Sequence, residues 1–191
     1  MLMLMLAEAG LRPSFVIGGD VTDMGTGAQW TGGEWLVVEA DESDGTHLHL
    51  PLYGTILTNV ETDHLDHYGT FDAIVDGFDR YLGQIAGPKV VCSDDPVAAR
   101  LAARHDAITY GTGAEAEFRA VDVTSERGAF RFGVTHAGDL LGEVSLPLRG
   151  IHNVRNATGA LAMAVTIGVP FDAAVAALAK FGGVARRFDV R

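Results

Sequence analysis

The apolar residues of this chain fall into short unbroken runs, helical stripes and, further on, a stretch of alternation. The opening MLMLMLAEAG is apolar all round, which predicts a buried helix continuing into Glu8 and capped near Gly10. From Trp35, WLVVEADESD turns abruptly from β-branched to acidic, and GTILTNVETDHLD repeats that plan from Gly54. Continuous apolar runs of this length suit strands covered on both faces, as in a parallel sheet. Gly45 to Tyr53 has no assignable period and is read as a connection. FDAIVDGFDRYLGQIAG places Phe71, Ile74, Val75, Phe78, Leu82 and Ile85 at helical spacing, with Thr70 as N-cap, Asp72 in the first turn and Gly87-Pro88 as the stop. KVVCS and AITYG read as strands, and DDPVAARLAARHD between them as a helix with Asp95 as cap and Pro96 at its first position. After Gly113 the pattern alternates between glycines, the mark of an antiparallel meander. Two Ala-rich helices follow, His152 to Ile167 and Phe171 to Phe181, closed by Gly182-Gly183. The expected fold class is α/β: a mostly parallel sheet flanked by helices, with a small antiparallel β appendage.

Composition narrows the function. The chain has 191 residues and is 48% apolar, enough for one domain with a real core. A net charge of -11 argues against nucleic-acid or anionic-membrane partners, which want clustered Lys and Arg. The one cysteine, Cys92, permits no internal disulfide and fits a reducing cytoplasm. The apolar opening has no basic flank and is too short to span a bilayer. So abrupt a start, and an end as abrupt at GGVARRFDVR, lead us to expect that Met1 is not a natural domain boundary.

Ligands of open α/β sheets bind beyond the carboxyl ends of the strands. Two runs here end in acids, EADESD and NVETDHLD; if their strands are parallel and adjacent, Glu39 and His64 converge in one crevice. A carboxylate with a neutral imidazole suits Mg²⁺ or Mn²⁺ handling phosphate oxygens, and a divalent cation relieves the repulsion of packed carboxylates. Acids after a strand equally serve as helix caps or a solvated loop, so spacing leaves both readings open. Asp63 is expected to orient His64 from behind. His47 and His49, two apart in THLHL, read as packing or surface histidines, while His67, His105 and His136 carry no assignment. In GIHNVRNATGALA, His152, Asn153 and Asn156 precede an Ala-rich helix, with the two asparagines three apart on one face. Carboxamides donate and accept, as reading a purine edge requires, although capping by Asn153 explains the same residue. Arg186 and Arg187 follow a Gly-Gly break; arginine forks suit phosphate oxygens, but exposed pairs are commonly plain surface.

Phosphate chemistry in such a fold calls for a GxxxxGK[ST] loop. The only lysines are Lys89 and Lys180, neither followed by Ser or Thr, so no such loop is present. Four segments in order, VVEADESDGTHLHL, ILTNVETDHLDHYGTF, GIHNVRNATGALA and GGVARRFD, resemble the central ATP-binding domain of the Mur ligases, and the similarity runs through nearly the whole chain. The EADESD form is most similar to the branch that joins L-alanine to UDP-N-acetylmuramate. In that family the phosphate loop immediately precedes a helix equivalent to the one opening this chain. The resemblance therefore implies a fragment: 1–182 as a partial, P-loop-NTPase-like central domain, and 183–191 as a hinge into a missing C-terminal domain. It implies that the N-terminal UDP-binding domain is missing too.

By the same resemblance, Glu39 matches a Mg²⁺-binding glutamate and His64 the histidine of a second metal position. Asn156, with Asn153 and His152, matches the adenine-contacting segment. Arg187 matches an arginine that contacts ATP phosphates, with Arg186 the adjacent candidate; the carbamylated lysine of sister ligases has no evident counterpart. The implied reaction uses ATP and Mg²⁺ to phosphorylate the muramate carboxylate, after which the L-alanine amine displaces phosphate. Alanine, glycine and serine remain open as the amino acid, because the residues that select it are absent. The 191-residue chain alone is expected to be inactive and to bind nucleotide weakly. Two readings stand beside this one: a metal-dependent phosphohydrolase using the region of Glu39 and His64, and a non-catalytic truncated scaffold. The first leaves HNVRN and RRFD unexplained.

Overall fold

A computed structural model describes residues 1–21, 25–40, 42–43, 45–126 and 128–183. The expected hinge therefore lies almost wholly outside the described residues, as do Arg186, Arg187, Asp41 and Asp44.

The larger sheet has six strands: β4 (Thr55–Leu57), β5 (Lys89–Cys92), β6 (Ile108–Gly111), β7 (Phe118–Glu126), β8 (Ala129–His136) and β9 (Asp139–Leu146), hydrogen-bonded in that order. The first four run parallel, and β7 to β9 form the antiparallel meander. The antiparallel appendage continues the main sheet, because β7 pairs in parallel with β6 through Tyr110↔Phe118. A second, three-stranded sheet has the order β2 (Thr26–Gln29), β1 (Ser14–Val21), β3 (Leu36–Val38). Its β1–β2 hairpin, built on the apolar SFVI run, was missed at the level of sequence.

Alternation along β5 shows why its sequence is apolar without a break. Val90 and Cys92 pack into a core with α5 (Ile151–Thr166), α6 (Phe171–Lys180) and α1 (Leu2–Glu8). Val91, between them, faces the opposite core under α3 (Phe71–Gln84) and α4 (Pro96–Arg104). The sheet is covered on both faces, so side chains of either parity are buried. Capping follows sequence: Thr70 Oγ1 accepts from the Ala73 N–H at 3.2 Å, and Asp95 Oδ1 accepts from Val97 and Ala98 at 3.0 and 2.6 Å. At the chain start Met3, Met5 and Leu6 are buried, α1 ends at Glu8, and Gly10 takes φ +79°. The connection at 45–53 contains a 3-10 turn, Thr46–His49, in which His47 is buried against the rings of Phe78 and Tyr81 while His49 is exposed. Among the described residues, no helix is long and apolar enough to cross a membrane.

Helix α5 sits unusually close to the sheet. A Cβ on Gly159 would stand 2.6 Å from Cζ of the fully buried Tyr110, so only glycine permits this approach. Tyr110 in turn donates from its hydroxyl to the Leu57 carbonyl at 3.4 Å. Close packing at this point fixes where the first turn of α5 meets the strand tips.

Candidate functional site

Beyond the carboxyl ends of β4 and β5 lies a cleft of about 210 Å³. Thr58, Asn59 and Glu61 enter it from the segment after β4, Cys92, Asp94 and Asp95 from the end of β5, and His152, Arg155 and Asn156 from α5. Strand direction sets this location, because consecutive parallel strands leave their loops at one edge. His152 and Asn156 are four apart and so project from the same helical face. Asn153 does not join them. Its Nδ2 donates to the Arg149 carbonyl at 2.7 Å and contacts His152 Nε2 at 3.1 Å. The expected pairing of Asn153 with Asn156 is therefore replaced by His152 with Asn156, and Asn153 is an internal helix residue after a Gly150 N-cap rather than the cap itself.

Asp94 is the residue that sequence reading missed. Its side chain is only 9% exposed, and it accepts four kinds of hydrogen bond. The Thr112 N–H reaches both carboxylate oxygens at 3.0 Å, the Thr112 hydroxyl donates at 2.7 Å and the Gly113 N–H at 3.0 Å. Arg155 Nε closes the set at 2.8 Å. Burial pushes the Asp94 carboxyl up. The bonds from Thr112 and Gly113, with the Arg155 charge, outweigh that and hold it below the ordinary carboxylate value. The one signal available in the sequence was the GTG turn after AITYG, whose glycines let a backbone wrap around an anion.

The acidic runs resolve differently from expectation. Strands β3 and β4 are not adjacent: β3 pairs in parallel with β1, β4 pairs in parallel with β5, and each lies at the edge of its own sheet. The reason is that the Ser14–Val16 backbone takes the ladder of β3, with Ser14↔Leu36 and Val16↔Val38 in register. The described contacts of Glu39 and His64 run to different partners. Glu39 Oε2 accepts from the Gly18 N–H at 2.9 Å, and the Met1 amino group lies close enough to feel its charge. Burial lowers that amine to about 6, against the opposing pull of Glu39. His64 faces the other acid of the EADESD run, with Nε2 3.8 Å from Glu42 Oε1.

The two runs nevertheless meet. Tyr68, at the end of the short helix α2 (Leu65–Tyr68), donates from its hydroxyl to the Glu42 carbonyl at 2.7 Å. His64 itself is in the left-handed region, φ 54° and ψ 36°, as the N-cap of α2. Asp63 supports it through the backbone, accepting the His64 N–H at 2.8 Å, with the ring Nδ1 further off at 3.9 Å. A strained residue over-determined by its neighbours is characteristic of functional positions. Of the unassigned histidines, His105 contacts Asp79 at 2.7 Å and His136 contacts Glu117 at 3.0 Å, while His67 packs edge-on against Tyr68. Among the described residues no three His, Cys, Asp or Glu side chains are grouped as a ready metal cage. The donor types still fit Mg²⁺, which keeps several waters and takes few protein ligands beside substrate phosphate oxygens.

Comparison with known proteins bears on the family and the fold. Residues 28–164 match the family described as Mur ligase middle domain. The UDP-N-acetylmuramate–L-alanine ligase of Xanthobacter autotrophicus is 44% identical, over 96% of this chain and 42% of that protein. The chain thus spans well under half the length of such curated relatives. Among solved structures, the UDP-N-acetylmuramate–alanine ligase of Thermotoga maritima superposes with a TM-score of 0.87 at 24% identity, covering 98% of this chain and 42% of that one. The MurF ligase of Thermotoga maritima, solved in complex with ADP, gives 0.79 at 22%, covering 100% and 46%. At these identities the structural likeness speaks for the fold. The sequence matches carry the relationship further: the chain belongs to the Mur ligase family, and residues 28–164 correspond to its middle domain.

Proposed function

We infer that the chain is the nucleotide-binding core of an ATP-dependent, amide-forming ligase that joins L-alanine to UDP-N-acetylmuramate for peptidoglycan synthesis in the cytoplasm. The observation that carries this reading is the cleft at the strand tips, where His152 and Asn156 stand together with Thr58 and Asn59. The carboxylates Glu61 and Asp95 in its lining repel phosphate, with Asp94 offset by Arg155, so the cleft suits the uncharged base of a nucleotide rather than its phosphate chain. Asn156 supplies both a donor and an acceptor to the purine edge.

Glu39 would hold a Mg²⁺ ion and His64 a second metal ion, which, when bound, would neutralise charge on the transferred phosphoryl group. The Gly18 N–H fixes one oxygen of Glu39, and Asp63 fixes the backbone of His64, so the Glu39 carboxylate and the His64 main chain are held before ligand arrives. Arg187, with Arg186 beside it, would hold the terminal phosphate as the hinge at 183–191 closes against a further domain. The muramate carboxylate oxygen attacks the γ-phosphorus and ADP leaves. The alanine amine then attacks the acyl carbon, and phosphate leaves with the electron pair of the broken C–O bond. Residues 1–182 bind nucleotide in this scheme, and both other substrates are held outside them.

The test is a chimera. This chain replaces the matching segment of the Xanthobacter autotrophicus ligase, and phosphate release is measured with ATP, UDP-N-acetylmuramate and L-alanine. Turnover is expected from the chimera, loss of it in Glu39→Ala and His64→Ala versions, and none from the 191-residue chain alone. A folded chimera that releases no phosphate refutes the reading. Phosphate release from simple esters by the isolated chain would favour a hydrolase instead.

A further inference from the structure

Arg155 is the one Arg or Lys among the described residues lining the cleft, where it stands beside Asp94 in a lining that also includes Glu61. A guanidinium at the mouth of a nucleotide site is a strong phosphate ligand when its charge is uncompensated. Here it is compensated at contact distance: Nε donates to Asp94 Oδ2 at 2.8 Å. The partner does not depend on the arginine for its position. Thr112 and Gly113 hold the Asp94 carboxylate as well, through the Thr112 N–H and hydroxyl and the Gly113 N–H. Space for it exists because position 111 is glycine; a Cβ there would stand 2.4 Å from Asp94 Oδ1. Among the described residues, only Nε of Arg155 is engaged, and the two Nη groups are available to the cleft.

Resting on the reading of the cleft as a base site, we propose that Asp94 is a specificity-determining residue: by neutralising Arg155 it makes the pair an uncharged donor surface that accepts a heterocycle and rejects polyphosphate. The nucleotide then enters in one orientation, base inward. Arg155 Nη groups donate to ring nitrogens, and the acidic lining, no longer offset by a free cation, turns phosphate away.

The test titrates the 191-residue chain with adenosine and, separately, with inorganic pyrophosphate, each at low and high salt. Circular dichroism reports folding of every variant. The unaltered chain is expected to bind adenosine and not pyrophosphate. Asp94→Asn is expected to lose adenosine affinity and to gain pyrophosphate affinity by roughly tenfold or more, the scale of one charged hydrogen bond. That gain is screened by salt and disappears in the double variant Asp94→Asn/Arg155→Met. A folded Asp94→Asn protein without the gain overturns the proposal, as does a gain that survives in the double variant. Should Asp94→Asn not fold, Arg155→Met decides, since Arg155 is 41% exposed and tolerates replacement. It is expected to bind adenosine roughly tenfold more weakly, and unchanged affinity overturns the proposal. Failure of the unaltered chain to bind adenosine tells separately against the base-site reading, while the pyrophosphate arm still decides the charge pairing.

Discussion

Replacing Gly111 by alanine tests whether the Asp94 hub holds the strand tips together. Nothing in the backbone forbids alanine, since Gly111 is not among the positive-φ glycines. The obstacle is the carboxylate: the new Cβ would lie 2.4 Å from Asp94 Oδ1 and 2.9 Å from Cγ. Ordinary contact needs about 3.5 Å, so the carboxylate or the turn must give way by about 1 Å. A shift of that size lengthens the bonds from the Thr112 and Gly113 N–H groups, now 3.0 Å, past useful range. Two charge-assisted bonds at about 1.5 to 3 kcal/mol each set a loss of about 3 to 6 kcal/mol. Reduced freedom of the unfolded chain returns about 0.4 to 1 kcal/mol. The expected net destabilisation is about 2 to 5.5 kcal/mol, or roughly 4 to 22 °C in Tm for a domain of this size. Gly113→Ala is the internal control, because its Cβ would stand 3.3 Å from the same oxygen and needs a shift of tenths of an ångström. Urea denaturation followed by circular dichroism measures both. A Gly111→Ala midpoint equal to that of Gly113→Ala refutes the reasoning. The same cost persisting in an Asp94→Ala background does so more sharply, because it places the clash elsewhere.

Two further outcomes follow from the same geometry. Because the folded Asp94 carboxyl titrates below its ordinary value of 3.8, the unfolded chain binds more protons between the two values; the stability contributed by Asp94 is full above that range and is lost as pH falls through the folded value. Urea midpoints between pH 6 and 3 are expected to decline less steeply in Asp94→Asn than in the unaltered protein, and equal slopes would count against the hub. His64 pays for its left-handed backbone, so His64→Gly is expected to change stability by no more than about 1 kcal/mol while removing phosphate release from the chimera. A large loss of stability would make His64 a packing residue.

Elements were legible where one local rule decided them. Thr70 and Asp95 cap as their side-chain chemistry demands, Pro96 opens α4, and the helical stripe from Phe71 to Leu82 became α3. The parallel run of β4, β5 and β6 was readable for the same reason, since strands buried on both faces carry no polar interruptions. What stayed hidden was pairing. Hydrogen bonds between strands are made by backbone atoms that every residue shares, so nothing in WLVVEADESD states that β3 will ladder with Ser14–Val16 rather than with Thr55–Leu57. The likeness of the two acid-ended runs suggested neighbours, and the sheets separated them.

Site residues divide along the same line. Sequence spacing paired Asn153 with Asn156; in the structure His152 and Asn156, four apart, line the cleft together, and Asn153 turns to the Arg149 carbonyl. Asp94 was invisible for a different reason. Its importance arises from donors at positions 112, 113 and 155, which come together only after β5, β6 and α5 are stacked. That stacking is set in turn by Gly159 against Tyr110, two residues with no chemistry of their own to advertise. The cleft at the strand tips is therefore a product of packing as much as of motif. Sequence spacing alone nominates groups that touch ligand, and the groups that aim them are found only once the sheet is built.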